Sequence, residues 1–310
     1  MITEVPLCPV TGTPAVRHIQ SISTAFLKEL WRITFNTNAN TSFQNVNKID
    51  LWESETGLYF FHPIIEGDQD FYEKLYAWFY KRKLLQKGDG GVNNIKPYLK
   101  YIENNAKLLD VGCGIGALQS IIKNVKYTGI DPYVSTSLIK DGIFKQTLQE
   151  HLKTYKNYYD VACALEVLEH VSNPKEMFMD IVRAVKPGGL IIISVPSVKS
   201  VMTEIPNFIM NAPPHHLTWW TKNTFQYLAK ENNLKIELLE QNKIYGSVQL
   251  IYWMAKCSIC KNGKYYFKHS WFLHASTILA FICGKFMNVC LGKFTTDKTG
   301  LSLILIARKL

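Results

Sequence analysis

The sequence predicts an α/β protein: a doubly wound, seven-stranded sheet, mostly parallel with an antiparallel last strand. Three observations predict it. From residue 92 onward, strand-like and helix-like stretches alternate. The strand stretches, such as "LIIISVP", are apolar without interruption, as strands covered on both faces require. In "AKLLDVGCGIGALQS" (106–120) a strand runs through a glycine-rich turn directly into a helix.

Residues 1–66 are short, turn-rich and β-leaning, and form a small β-rich region before the main domain. The aromatic spacing of "DFYEKLYAWFYKRKLL" (70–85) is helical and "KGDGG" (87–91) closes it, so 67–91 reads as a helical linker. The main domain follows from 92 to 310. "NIKPYLKYIENN" starts a helix, "KLLDVG" is a buried strand, "GALQSIIKNV" a helix and "KYTGID" a strand. The register around "GIFKQ" stays open, and "YYDVACAL" is the next strand. "PKEMFMDIVRAVKPGG" reads as a helix with a Pro-Gly-Gly stop, followed by "LIIISVP", the helix "TKNTFQYLAKENN" and the strand "KIELLEQ". An insertion at about 246–299 separates that strand from the last one, "GLSLILIARKL". No internal repeat occurs.

A 310-residue chain with 47% hydrophobic and 19% charged residues can bury a full core, which excludes a disordered chain. A net charge of +10 and a pI near 9.1 bring anionic partners into view: nucleic acid, phosphorylated substrates or a membrane surface. The lysines are dispersed, however, and a solvated surface accounts for them. Seven scattered cysteines do not make a disulfide framework. "MITEVPLCPVTG" lacks a charged segment followed by an apolar one, so a reducing, cytoplasmic location is expected. "WFLHASTILAFICGKFMNVCL" (271–291) is interrupted by His274 and Lys285, so no membrane span is expected. With Lys264, Lys268 and Lys285 around it, 269–293 is either a peripheral membrane contact or a helix packed on the sheet or on a second subunit. Cys257 and Cys260 have metal or redox spacing but no matching second pair, and read as unrelated thiols.

Gly112-x-Gly114-x-x-Ala117 fits a nucleotide-binding turn, because glycine lets backbone approach a ligand closely. Asp131, at the end of the next strand, suits ribose hydroxyls. Those residues alone do not choose between a dinucleotide and another nucleotide. Their context does. "LLDVGCGIG", "YTGIDP", "DVACALEVLEHV" and "VKPGGLIIISVPS" stand in the order and spacing of class I S-adenosylmethionine-dependent methyltransferases, and the chain resembles that superfamily over roughly 92–243 plus 301–310. The resemblance implies a Rossmann-like fold and S-adenosyl-L-methionine as cofactor. It places Asp110 through Gly112, Gly114 and Gly116 beneath the methionine part. Asp131 would hold the ribose hydroxyls, Pro132 or Tyr133 would lie against the adenine, and Gln146 near its amine. The backbone at Ala164 and Leu165, with Glu166, would hold the amino group.

Two clusters then offer acceptor chemistry. "EVLEH" contributes Glu166, Glu169 and His170 at the end of the fourth strand; "PPHHLTWWT" (213–221) contributes His215 and His216. His216 is the first choice for a base or acceptor contact and His215 the second, although either imidazole is also placed to cap or pack against the helix starting at Thr221. Glu166, Glu169, His170 and His216 also resemble the metal set of small-RNA 3′-terminal 2′-O-methyltransferases. The same motif shapes the strand-to-helix turn in metal-free methyltransferases, so no metal is expected.

The turns "CPVTG" (8–12) and "ESETG" (53–57), with the tail "EGDQDFYEKLYAW", resemble the zinc ribbon that begins many bacterial methyltransferases of small molecules and surface sugars. Only Cys8 remains a ligand; Thr11, Glu53 and Thr56 hold the other positions, so zinc is not expected. The whole reading is methyl transfer to a small molecule or glycan precursor. An RNA 2′-O-methyltransferase and a non-catalytic cofactor-binding scaffold are the alternatives, and the oligomeric state stays open.

Overall fold

The computed structural model describes residues 5–81, 95–134, 141–244, 249–260, 265–291 and 296–310. The "KGDGG" linker and Lys264 lie outside them. Near the N-terminus, β1 (Arg17–Ser23), β2 (Lys48–Glu53) and β3 (Tyr59–His62) form an antiparallel sheet, with pairs such as Gln20↔Leu51 and Leu51↔Phe61. Its fourth strand, β9 (Thr218–Trp219), arrives from far downstream and pairs Tyr59 with Trp219.

The N-terminal region is β-rich as expected, and between its first two strands it also holds α1 (Thr24–Phe35). Its buried residues Thr24, Leu27, Trp31 and Phe35 recur at helical spacing, and Asn36 ends it in the left-handed conformation. The signal was in the sequence, diluted by the β-branched residues around it. A second helix, α2 (Gln69–Lys81), follows β3 as expected. Together these elements enclose an aromatic core of Trp31, Phe43, Phe61, Phe71, Trp219 and Phe267.

At the turns resembling a zinc ribbon, hydroxyls bond to one another. Thr11 pairs with Thr13 (2.6 Å), Ser54 with Thr56 (3.0 Å), and Thr56 with Thr224 (3.1 Å). The sulfur of Cys8 accepts from the backbone N–H groups of Val10 and Thr11.

The large sheet contains β4 (Lys107–Val111), β5 (Lys126–Ile130), β6 (Ile143–Phe144), β7 (Tyr159–Leu165), β8 (Val185–Pro196), β10 (Leu234–Ile244) and β11 (Thr296–Lys309). Their spatial order is β10-β11-β8-β7-β4-β5-β6. The strands β8, β7, β4, β5 and β6 pair in parallel, whereas β11 runs antiparallel to both β8 and β10. The predicted seven strands and antiparallel last strand are therefore present. Leu108, Leu109, Ile191, Ile192 and Ile193 are fully buried, which is why these strands read as unbroken apolar runs.

The helices α3 (Ala117–Ile121), α4 (Leu148–Leu152), α5 (Pro174–Ala184) and α6 (Lys222–Glu231) lie between the strands. The stretch "VKPGG", expected to end a helix, already belongs to β8, with Gly188 at positive φ. The insertion folds as α7 (Gln249–Cys257) and α8 (Trp271–Cys290), and β11 begins at Thr296, earlier than expected. With His274 and Lys285 included, α8 is still long and apolar enough to cross a bilayer by length and composition.

Candidate active site

The site lies at the carboxyl ends of β4, β5 and β7, where a doubly wound sheet leaves a crevice for ligands. The turn after β4 is dictated by crowding. A Cβ on Gly112 would stand 2.6 Å from a methyl of Val167, and one on Gly116 2.5 Å from Ile143. Both glycines have positive φ, so any other residue would add backbone strain to the clash. Gly114, also at positive φ, faces open space on its Cβ side, where a ligand can approach its backbone.

Asp131 ties the turn to β5. One carboxylate oxygen accepts from Gly114 N–H (3.0 Å) and the other from Tyr133 N–H (2.7 Å). Each oxygen keeps a lone pair for a ribose hydroxyl. Asp110 is buried and accepts from the hydroxyl of Tyr127 (2.7 Å); burial lifts its carboxyl to about 7. Among the sequence-predicted cofactor residues, Pro132 and Tyr133 sit exposed at the rim, and Tyr133 stacks on Tyr72 of α2 with 6.4 Å between centroids. Gln146 bonds to His151 (2.8 Å), which bonds in turn to the Tyr159 hydroxyl (2.7 Å), so its amide serves a hydrogen-bond chain behind the site.

Leu165 ends β7, opposite Ser194 of β8. Glu166 then adopts a left-handed φ of 57°, which costs backbone energy and turns the chain sharply out of the sheet. Its N–H donates to the Ser194 carbonyl (2.9 Å) and its carboxylate accepts from the Ser194 hydroxyl. Burial raises the Glu166 carboxyl above the usual range and raises that of fully buried Glu169 further, helped by Glu166 beside it. Neither Glu169 oxygen has a hydrogen-bond partner among the described residues.

The structure brings all three predicted histidines together. Leu217 N–H donates to the Glu169 carbonyl (2.7 Å), which draws the "PPHHLTWWT" segment onto the "EVLEH" turn. One nitrogen from each of His170, His215 and His216 then lies within 4.8 Å of the others. His170 Nδ1 donates to the His215 carbonyl (2.6 Å) and His216 Nδ1 to the Asn211 side-chain oxygen (3.0 Å). These partners accept only, so the Nε2 atoms of His170 and His216 carry lone pairs. Burial keeps the rings neutral. It lowers His170 to about 4 and lowers His215 and His216 well below the usual imidazole value. Neither histidine caps α6; the Thr221 hydroxyl does, accepting from Thr224 N–H (3.2 Å).

Aromatic residues form the walls. Tyr72 stands 6.3 Å from His170 and 5.9 Å from His215, Trp31 packs edge-on to His215 at 6.0 Å, and the Tyr72 hydroxyl has no partner among the described residues. Trp31, Tyr72 and Asn211 were missed in the sequence because none belongs to a chemistry-bearing motif. The helical aromatic spacing of 70–81 was the only signal toward Tyr72.

Residues 83–239, just over half of the chain, match the family described as a methyltransferase domain, and the chain belongs to that family. The sheet order and the glycine turn are those of an S-adenosylmethionine-dependent methyltransferase domain. The ubiquinone biosynthesis O-methyltransferase of Rickettsia bellii is 32% identical over 166 residues, covering 49% of this chain and 67% of that protein. The mitochondrial ubiquinone biosynthesis O-methyltransferase of Dictyostelium discoideum is 35% identical over 109 residues, which span 28% of this chain and only 34% of that relative. A solved S-adenosylmethionine-dependent methyltransferase from Archaeoglobus fulgidus superposes with a TM-score of 0.47 at 17% identity, covering 76% of this chain and all of the other.

Proposed function

We infer that the protein methylates a hydroxyl group of a small, largely apolar molecule held between the cofactor turn and the histidine cluster. One observation carries the reading: three neutral imidazoles converge beneath an aromatic wall, at the carboxyl end of the strand next to the cofactor turn. Such a wall suits an aromatic or apolar acceptor better than a sugar, which needs many polar partners. The names of the relatives, O-methyltransferases of ubiquinone biosynthesis, support the same acceptor class.

The cofactor supplies an activated methyl on a sulfonium. The chain supplies alignment, exclusion of water and a place for one proton. The glycine turn and Asp131 would hold the cofactor, which would supply the methyl to the acceptor oxygen, and the hydroxyl proton would pass to an imidazole Nε2 of His216 or His170. The Glu169 carboxyl, kept protonated by its burial, lies beside His170 with 3.7 Å between Oε1 and Nε2 and leaves that imidazole without a counter-charge. The Asn211 and His215 oxygens hold the tautomers that keep those lone pairs facing the acceptor.

The test is methyl transfer from radiolabelled cofactor to a panel of phenols and a panel of sugars. Phenol labelling is expected. His216→Ala should lower kcat about 100-fold while cofactor affinity stays the same, whereas labelling confined to sugars overturns the reading. The convergence of imidazoles favours one second reading, in which they hold a divalent ion that binds the acceptor oxygen. Imidazole ligands suit zinc-like ions better than magnesium. Activity that survives a chelator retains the first reading; activity abolished by it and restored by zinc installs the second. The N-terminal turns we read as a ribbon that has lost three of its four ligands, because the Cys8 turn keeps its N–H···S bonds while Thr11 and Thr56 bond to hydroxyls within their own turns and Glu53 pairs with Arg17.

A further inference from the structure

We propose that α8 is a membrane-surface helix, lying in the plane of an anionic bilayer with its exposed face among the lipid headgroups and upper acyl chains. The two faces of this helix differ in kind. Ser276, Ala280 and Gly284 are buried, and small residues are needed there: a Cβ on Gly284 would come within 3.0 Å of the Met254 backbone in α7. On the opposite side Trp271, Ile278, Ile282, Phe286 and Val289 point outward, with Trp271 82% and Val289 81% exposed. A contiguous exposed apolar stripe of this length is rare on a protein that meets only water.

Charge selects the occupant. Lys285 is the only formally charged residue on the helix, and no acid interrupts it. Its ammonium stands 4.7 Å from the Phe281 ring, at the edge of the apolar stripe, where a flexible stem can lift the charge to a phosphate. Lys268 is exposed just before the helix begins. A face that is apolar and purely basic complements anionic lipid, whereas a second copy would bring only the same positive charge to it.

The anchoring of both ends decides between lying on the membrane and crossing it. The Lys268 backbone is clamped by Asn207, which accepts from its N–H (2.8 Å) and donates to its carbonyl (2.9 Å), and Phe267 is buried in the N-terminal aromatic core. Beyond the helix, β11 pairs with β8 and β10 in the large sheet. A 20-residue helix is about 30 Å long, and spanning would carry two ends held by one folded body to opposite sides. The helix therefore lies flat.

The consequence reaches the active site. Thr277 donates to the Pro206 carbonyl (3.2 Å), and the segment from there runs to Asn211, the partner of His216. A bilayer seated on α8 thus adjoins the loop that builds the acceptor side. Delivery of an apolar acceptor from lipid rests on the function proposed above; membrane binding itself does not.

The experiment is co-sedimentation of the full chain with vesicles of phosphatidylcholine alone and of equal parts phosphatidylcholine and phosphatidylglycerol. The protein should pellet with the mixed vesicles, and Ile278→Glu/Ile282→Glu should lower the bound fraction about tenfold while calorimetric binding of S-adenosylhomocysteine is retained. If the double variant fails to bind the nucleoside, the exposed single change Lys285→Glu carries the same expectation. Wild-type protein that stays in the supernatant, or variants that pellet equally well, overturn the proposal. So does a dimer seen by light scattering that the variants dissolve without any vesicle binding. Because the readout is sedimentation, failure to methylate phenols leaves this result unaffected.

Discussion

The cofactor turn and the histidine cluster stand side by side at the same edge of the sheet, yet they are built by opposite means. The turn, Asp110 to Gly116, is one uninterrupted stretch whose geometry is held by backbone, by steric exclusion at Gly112 and Gly116 and by Asp131 reaching across from the neighbouring strand. The cluster takes His170 from the end of β7, His215 and His216 from a loop forty-five residues downstream of it (the separation of the His170–His215 bond), and its wall from α1 and α2. The first requires particular small residues at fixed spacing. The second requires only that distant segments pack correctly, so many sequences could satisfy it.

The difference can be broken at either end. The largest effect is expected at Gly112→Ala, which combines a Cβ contact of 2.6 Å with a φ of 67°. Strain and overpacking together should cost about 3 kcal/mol, visible as a lower urea midpoint together with lost nucleoside binding. If stability and binding both survive, crowding does not govern the turn. Next comes Asp131→Ala, which removes the bonds to Gly114 and Tyr133 along with the carboxylate expected to meet the ribose, and should weaken S-adenosylhomocysteine about 100-fold by calorimetry without unfolding the chain. An unchanged affinity would remove Asp131 from the cofactor site.

The smallest and most diagnostic effect concerns Glu169. Burial raises its folded-state pKa above the unfolded value, so the folded chain holds a proton that the unfolded chain releases. Its contribution therefore favours folding at low pH and is progressively lost as pH rises past about 4.5, near the ordinary glutamate value, toward the raised folded pKa. Glu169→Gln removes this dependence. The melting temperature of the variant relative to wild type should climb between pH 5 and pH 8, conditions to be scanned by calorimetry. A difference that stays flat would mean that Glu169 is not held protonated in the fold.

Much of the fold was legible because it is written in local periodicity. The parallel strands announce themselves as apolar runs, and α5 and α6 begin at Asn173 and Thr221, whose side chains cap them. The misreadings occurred where local preference loses to context. "VKPGG" looks like a helix stop but is drawn into β8 by pairing with β7, as Tyr159↔Val185 shows. The helix α1 sits among β-branched residues and owes its place to burial of Trp31 and Phe35. The run 271–291 was judged by its interruptions, whereas the helix it forms presents the apolar stripe on one face and sets Lys285 at its edge.

The sequence by itself determined the class of the protein through the resemblance its motifs carry, and it determined the glycine turn and the acid that faces it because backbone conformation and close approach admit few residues at those positions. Only the tertiary structure decided that His170, His215 and His216 share one site and that Tyr72 and Trp31 wall it. It also decided that β9 completes the N-terminal sheet and that α8 shows its apolar face to the outside. Those facts depend on contacts between segments far apart in the chain. No local pattern records them, since packing constrains volume and polarity rather than residue spacing.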